Sequence, residues 1–262
     1  MDGTNRNMIA NFKKILRMNL NKIGLDIVRY LPDRDLLHFP IDFDENQIQI
    51  IKKVKPFTAT SSERIQALCQ AINYIIKNNI PGDIVECGVW KGGSMMAAML
   101  TLLEHRNTSR EFYLFDTFEG MTQPGKDDIS IGGRLAANIF EEKKQCGEKW
   151  VYSSLQEVQQ TISSINYDNT KIHYVKGKVE DTLPNYAPDR ISLLRLDTDW
   201  YESTKHELVH LFPRLSKQGV IIIDDYGEWE GARKAVDEYI DTNNISILLN
   251  RIDYTGRIGI KI

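Results

Sequence analysis

Residues 191–200, ISLLRLDTDW, and 219–226, GVIIIDDY, decide the fold. Each is a short, almost continuously apolar run that gives way to paired carboxylates, Asp197 and Asp199 in the first and Asp224 and Asp225 in the second. Strands buried on both faces of a parallel sheet read this way. The C-terminal edge of such a sheet is where ligands bind, so the four aspartates are expected to converge on one small volume. Crowded carboxylates repel, and some stay protonated at neutral pH unless a cation or hydrogen-bond donors relieve the strain. A hard divalent ion with oxygen ligands, Mg²⁺, is the economical relief.

Similar runs lie at 83–89 (DIVECGV), 111–118 (EFYLFDTF), 171–177 (KIHYVKG), 246–252 (SILLNRI) and 257–262 (RIGIKI). Helical stretches at 93–105, 154–164, 201–215 and 230–242 separate most of them. Alternation of this kind predicts parallel βαβ units. The expected fold is therefore α/β: a doubly wound, seven-stranded Rossmann-like sheet, mostly parallel, ending in an antiparallel hairpin turned by Asp253-Tyr-Thr-Gly256. Thr60-Ser-Ser-Glu63 has capping-box spacing and opens a helix through Ile76. The body is thus expected over 56–262. Within it, 119–151 carries Gly120, Pro124, Gly125, Gly132 and Gly133 and a short charged helix between two strands. That is too much chain for a simple connection and predicts a lid or specificity insertion at the ligand edge.

Residues 1–55 read as an extension. Ile9, Phe12, Ile15, Leu16, Ile23 and Ile27 recur at helical spacing with Lys13, Lys14, Arg17, Lys22 and Arg29 on their flanks. This predicts an N-terminal amphipathic helix for packing or homo-oligomer formation, with peripheral contact to an anionic membrane as the alternative. Residues 32–45, with two prolines and many acids, predict an irregular connector.

The chain has 262 residues, 42% of them apolar, and a net charge of -3. It lacks the basic footprint of a nucleic-acid binder. Cys69, Cys87 and Cys146 have no metal-type spacing and suit a reducing compartment. With no secretory leader and no apolar run of membrane-spanning length, a cytoplasmic location is expected.

The first strand-to-helix turn reads Glu86-Cys-Gly-Val-Trp-Lys-Gly-Gly-Ser94. Its glycines permit close approach of a ligand to the backbone, but the spacing is not that of a dinucleotide site, and Glu86 opposes a pyrophosphate. S-adenosylmethionine, which has no phosphate and carries an ammonium and a sulfonium charge, fits better. Asp116 ends the second strand, where doubly wound folds read a ribose diol.

Six segments together, FTATSSERI (57–65), DIVECGVWKGGS (83–94), FDTFEGM (115–121), VKGKVEDTLP (175–184), LRLDTDWYESTKHEL (194–208) and GVIIIDDYGEWEGARKAVDEY (219–239), carry a resemblance. The sequence resembles the macrocin O-methyltransferase family over about residues 56 to 262. That family comprises metal- and S-adenosylmethionine-dependent enzymes that methylate sugar hydroxyls of natural products. The resemblance implies an O-methyltransferase whose acceptor is a glycosylated small molecule, glycolipid or polysaccharide. By the same resemblance, Glu86, Gly88, Gly92, Gly93 and Ser94 line the methionine and ribose portion of the cofactor. Asp116 takes the ribose hydroxyls, Thr117 and Phe118 flank the adenosine, and Gly177, with Glu180, lies near the adenine. Asp197, Asp224 and Asp225 match the metal ligands, with Asp197 also beside the cofactor, and Asp199 matches the general base. Asp197 and Asp199 would project to one side if strand geometry persists.

Two other readings compete. His206-Glu207-Leu-Val-His210 is formally a zinc-peptidase motif, but Leu208, Leu211, Phe212 and Leu215 define a buried stripe that leaves both histidines nearly opposite it. A non-catalytic cofactor-binding or assembly protein is the third class, opposed by the intact, mutually repelling aspartates. Trp90, Trp200, Tyr201 and Trp229 could pack on a sugar face or belong to the core.

Overall fold

The computed structural model describes residues 39–262, together with Leu16 and Leu20. But for those two leucines, the amphipathic stretch expected over 9–28 lies outside the described residues. The compact unit begins at Pro40, earlier than the boundary expected near residue 55. The reason is a helix, α1 (Glu45–Val54), closed by a reciprocal capping box: Asp44 Oδ1 accepts the Gln47 N–H at 2.8 Å and Gln47 Oε1 accepts the Asp44 N–H at 3.2 Å. It buries Ile50, Ile51 and Val54 and packs on α2 (Ser62–Lys77) and α3 (Gly93–Glu104).

Seven strands follow in the expected alternation: β1 (Asp83–Cys87), β2 (Phe112–Asp116), β3 (Ile172–Lys176), β4 (Ile191–Leu196), β5 (Leu215–Ile223), β6 (Asn250–Arg251) and β7 (Arg257–Ile260). The remaining helices are α4 (Ala136–Gln145), α5 (Leu155–Ser163), α6 (Val179–Thr182), α7 (Tyr201–Leu211) and α8 (Glu230–Thr242). The sheet runs β3-β2-β1-β4-β5-β7-β6. β1 to β5 pair in parallel, while β7 runs antiparallel to both β5 and β6. The order reverses between β1 and β4, so the crevice at their C-terminal ends is the natural binding place. Every residue of β4 is buried.

Two boundaries differ from expectation. The helix expected over 201–215 stops at Leu211 because Pro213, which lacks an N–H, sits in a tight turn over Phe212–Arg214, and β5 begins at Leu215. The strand expected over 246–252 contracts to β6. Ile245, Ile247 and Leu249 instead pack as side chains against the core beside β5.

The segment 119–151 is tied down at several points. Asp128 is fully buried; its Oδ1 accepts the Tyr201 N–H at 2.8 Å, satisfying a free donor at the start of α7, and its Oδ2 accepts the Gly125 N–H at 2.7 Å. A Cβ at Gly231 would overlap Asp128 Oδ1, so glycine is required there for this approach. The backbone also exchanges Ile131 N–H to Glu228 O at 2.7 Å and Glu230 N–H to Ile129 O at 2.8 Å. Trp150 joins Trp200 and Trp229 in an edge-to-face cluster, whose second and third members are buried core.

Candidate active site

A cleft of about 300 Å³ opens at the C-terminal ends of β1, β2, β4 and β5. Its lining includes Gly88, Ser94, Asp116, Thr117, Gly177, Glu180, Asp197, Asp199, Asp224 and Asp225. Trp90 and Thr58 border it too, as do Met121 and Val151 at the two ends of the 119–151 segment. The rest of the predicted set stands behind this wall. Glu86 is fully buried beneath it. Gly92 presses on Ile162, and a Cβ at Gly93 would stand 2.6 Å from the Phe57 carbonyl, so both serve close packing of the turn. Phe118 is buried at a φ of 52°, where its N–H donates to Asp116 Oδ1 at 2.7 Å.

Gly88 has a φ of +85°, and a Cβ there would overlap the Asp197 carbonyl. This glycine lets β1 and the β4 terminus approach each other at the cleft floor. The Asp116 carboxylate binds the same turn: Oδ2 accepts the Val89 and Trp90 N–H groups at 2.7 and 3.0 Å. With Phe118 N–H and, at 3.5 Å, Thr117 Oγ1 on Oδ1, most of its acceptor capacity already organises the two loops.

The aspartates do converge. Asp197, Asp224 and Asp225 each offer one oxygen, and the three lie within 4.8 Å of one another. Asp199 reaches the group by a different route from the one expected. β4 ends at Leu196, and Asp199 has a left-handed φ of 68°, so alternation of strand side chains does not apply. The turn instead points its N–H at Asp225 Oδ2 (3.1 Å) and its Oδ1 at Trp229 Nε1, which donates at 2.7 Å.

Sequence reasoning missed the cations. Arg195, buried one residue before the end of β4, donates from Nη1 to Glu86 Oε1 at 2.6 Å and from Nη2 to Asp224 Oδ1 at 2.6 Å; its Nη1 lies 2.8 Å from Asp197 Oδ2. Thr60 Oγ1 accepts its remaining reach at 3.0 Å. Arg64, in the first turn of α2, pairs through Nη1 with Asp224 Oδ2 and through Nε with Asp253 Oδ2 at 2.9 Å. A charged residue inside a strand buried on both faces demands partners, and that was the available signal for Arg195.

Burial dominates the titration. It pushes Glu86 up to about 7 against the pull of Arg195 and of Ser94 Oγ, which donates to Oε1 at 2.5 Å. It also holds Asp199 and Asp225 well above the carboxylate range, and their like-charged neighbours add to the push. Asp197 moves the same way for the same first reason, opposed by Arg195. Its side chain is 28% exposed, so water tempers the effect there.

The donor set suits a hard divalent cation: three carboxylate oxygens close together, with guanidinium groups orienting Asp197 and Asp224 and the Asp199 N–H on Asp225. In contrast, Glu207 of the peptidase-like segment turns inward and is fully buried, while His206 and His210 are half-buried, with ring centroids 4.4 Å apart. The three side chains do not face one site.

The profile of the macrocin-O-methyltransferase (TylF) family matches residues 46–258. The chain belongs to the macrocin O-methyltransferase family. Members of this family similar to it include the 8-demethyl-8-(2,3-dimethoxy-alpha-L-rhamnosyl)-tetracenomycin-C 4'-O-methyltransferase of Streptomyces olivaceus, 33% identical over 76% of this chain and 73% of that protein. Another is the demethyldecarbamoylnovobiocin O-methyltransferase of Streptomyces niveus, 31% identical over 76% of this chain and 73% of that protein. Among solved structures, the O-methyltransferase NovP superposes with a TM-score of 0.70 at 29% identity, covering 78% of this chain and 82% of NovP. As a macrocin-family O-methyltransferase, the protein uses S-adenosylmethionine as methyl donor, which sets aside the peptidase and the non-catalytic readings.

Proposed function

We propose that the protein transfers the methyl group of S-adenosylmethionine to a hydroxyl of a sugar carried by a natural product, glycolipid or polysaccharide, with Mg²⁺ held by Asp197, Asp224 and Asp225. The observation that carries this reading is the meeting of those three oxygens within 4.8 Å of one another at the cleft edge, with Asp199 beside them. The sugar is inferred from relatives: the Streptomyces olivaceus protein is named for a rhamnosyl-bearing acceptor.

When bound, the donor supplies the methyl group and Mg²⁺ supplies Lewis-acid stabilisation of negative charge on the acceptor oxygen. The chain's own residues do the rest. Asp199 takes the hydroxyl proton; burial, the first cause of its upward shift, makes it a stronger base than an exposed carboxylate. Trp229 Nε1 orients that carboxylate. Arg195 and Arg64 hold Asp224 from both sides. Gly88, Ser94, Asp116, Thr117 and Gly177 form the donor side of the cleft, with Glu86, Gly92, Gly93 and Phe118 shaping it from behind. The 119–151 segment, which contributes Met121 and Val151 to the lining, acts as the specificity wall for the acceptor.

The test is incubation with isotopically labelled S-adenosylmethionine, with and without Mg²⁺, across a panel of glycosides and nucleotide sugars, locating the methyl group by mass spectrometry. Transfer to a sugar hydroxyl that chelation stops, and that D224N abolishes together with Mg²⁺ binding in calorimetry, is expected. Unchanged metal affinity in both D224N and D197N would sink the metal assignment. D199N should keep metal and donor affinity while turnover falls by about 10²- to 10⁴-fold.

A further inference from the structure

Glu207 has no part in the chemistry above, although it stands close behind it. Its side chain is fully buried on α7. Oε1 accepts from Thr198 Oγ1 at 2.8 Å, and the buried thiol of Cys87, a weak donor, is the other side-chain partner of the carboxyl. Burying a carboxyl on one hydroxyl and one thiol is costly, and a residue so placed calls for a reason. Thr198 supplies one. It is the middle residue of the turn from Asp197 to Asp199, and its carbonyl accepts the Trp200 N–H at 2.8 Å and Ser203 Oγ at 3.3 Å. The next residue, Asp199, holds the left-handed φ of 68°, a conformation that persists in a non-glycine residue where its surroundings over-determine it. Those surroundings grip the turn at two residues. Trp229 and Asp225 hold Asp199, and Glu207 holds the Thr198 hydroxyl.

The geometry points to Glu207 as a positioning residue: through Thr198 Oγ1 it fixes the turn that sets Asp199 on Trp229 Nε1. The inference rests on the reading of Asp199 as the base only for its effect on turnover. An acid that was merely tolerated in the core would be replaced by leucine at little cost or with a gain. A positioning acid would not, because leucine frees the Thr198 hydroxyl and the turn with it.

Four variants test this: E207Q, E207L, T198V and the double variant T198V/E207L. The first readout is the indole ¹⁵N–¹H resonance of Trp229 in the ligand-free protein, identified by its loss in W229F. The second is steady-state turnover with the KM for S-adenosylmethionine. Glutamine keeps an acceptor for Thr198, so E207Q should retain both the resonance and the turnover. E207L and T198V should each displace the resonance and lower kcat, by on the order of 10²-fold if Asp199 moves by about an ångström, with the KM for the donor unchanged. The double variant should be no worse than either single one, because both break the same link. A folded E207L with unmoved resonance and turnover, or losses that add in the double variant, would overturn the inference. If E207L does not fold, T198V against E207Q decides. Full turnover in D199N would remove the base assignment alone; the indole resonance and the double-variant comparison would still judge Glu207.

Discussion

Arg195 shares its positive charge among Glu86, Asp197 and Asp224 while almost wholly excluded from water. Methionine at this position keeps much of the volume and removes the charge. Leaving buried carboxylates uncompensated costs about 3–5 kcal/mol, so R195M should lower the urea midpoint of the metal-free protein correspondingly; a wild-type midpoint would mean the acids protonate without penalty. Glu86 gives a pH prediction with a definite sign. Its folded value, about 7, exceeds the ordinary 4.5, so the folded state holds its proton more tightly than the unfolded chain does. The stability this contributes is complete below pH 4.5 and is lost as pH rises toward 7. E86Q should flatten that decline in denaturation curves across this window, and an unchanged slope would assign it to other groups. The aspartates were legible in the sequence because they interrupt apolar runs at strand ends. Arg195 was hidden inside such a run, and Arg64 looked like any residue in a first helical turn.

At the scale of elements, Asp128 ties the 119–151 segment to the start of α7. D128A should cost about 0.5–2 kcal/mol, as loss of a helix cap does, and should make this segment the first site of limited proteolysis. Protease resistance equal to wild type would show that the Trp150 cluster and the strand-like contacts suffice. The interruption of the βα rhythm at 119–151 could be read from glycine and proline content. Its anchorage could not, since Asp128 and Tyr201 meet only through the fold. The same limit explains α1, whose capping residues Asp44 and Gln47 sit in and beside a stretch that reads as connector, and the short β6, whose apolar neighbours mimic a longer strand.

For the whole molecule, the parallel βα succession followed from alternation, and the antiparallel end from the Asp253–Gly256 turn; the spatial order of the strands and the N-terminal limit did not. A chain beginning at Pro40 should keep donor affinity and thermal stability close to those of the full chain in calorimetry. One beginning at residue 56 should lose stability, because Ile50, Ile51 and Val54 of α1 no longer cover α2 and α3. Equal stability of the two would return the boundary to residue 55. The sheet also has a history in time. β7 is the last strand in chain order, yet it lies between β5 and β6. During translation, the flank of β5 over Val220–Ile223, which pairs with β7 in the finished protein, therefore stays open while everything upstream has already emerged. An unpaired run of valine and isoleucine is a template for wrong partners, so released chains truncated after residue 250 should bind holdase chaperones, whereas chains that carry β7 should not. Tyr254 and Thr255, just ahead of β7, line the cleft, so a chain that has not yet paired β7 with β5 should lack part of the cleft wall and with it full ligand affinity.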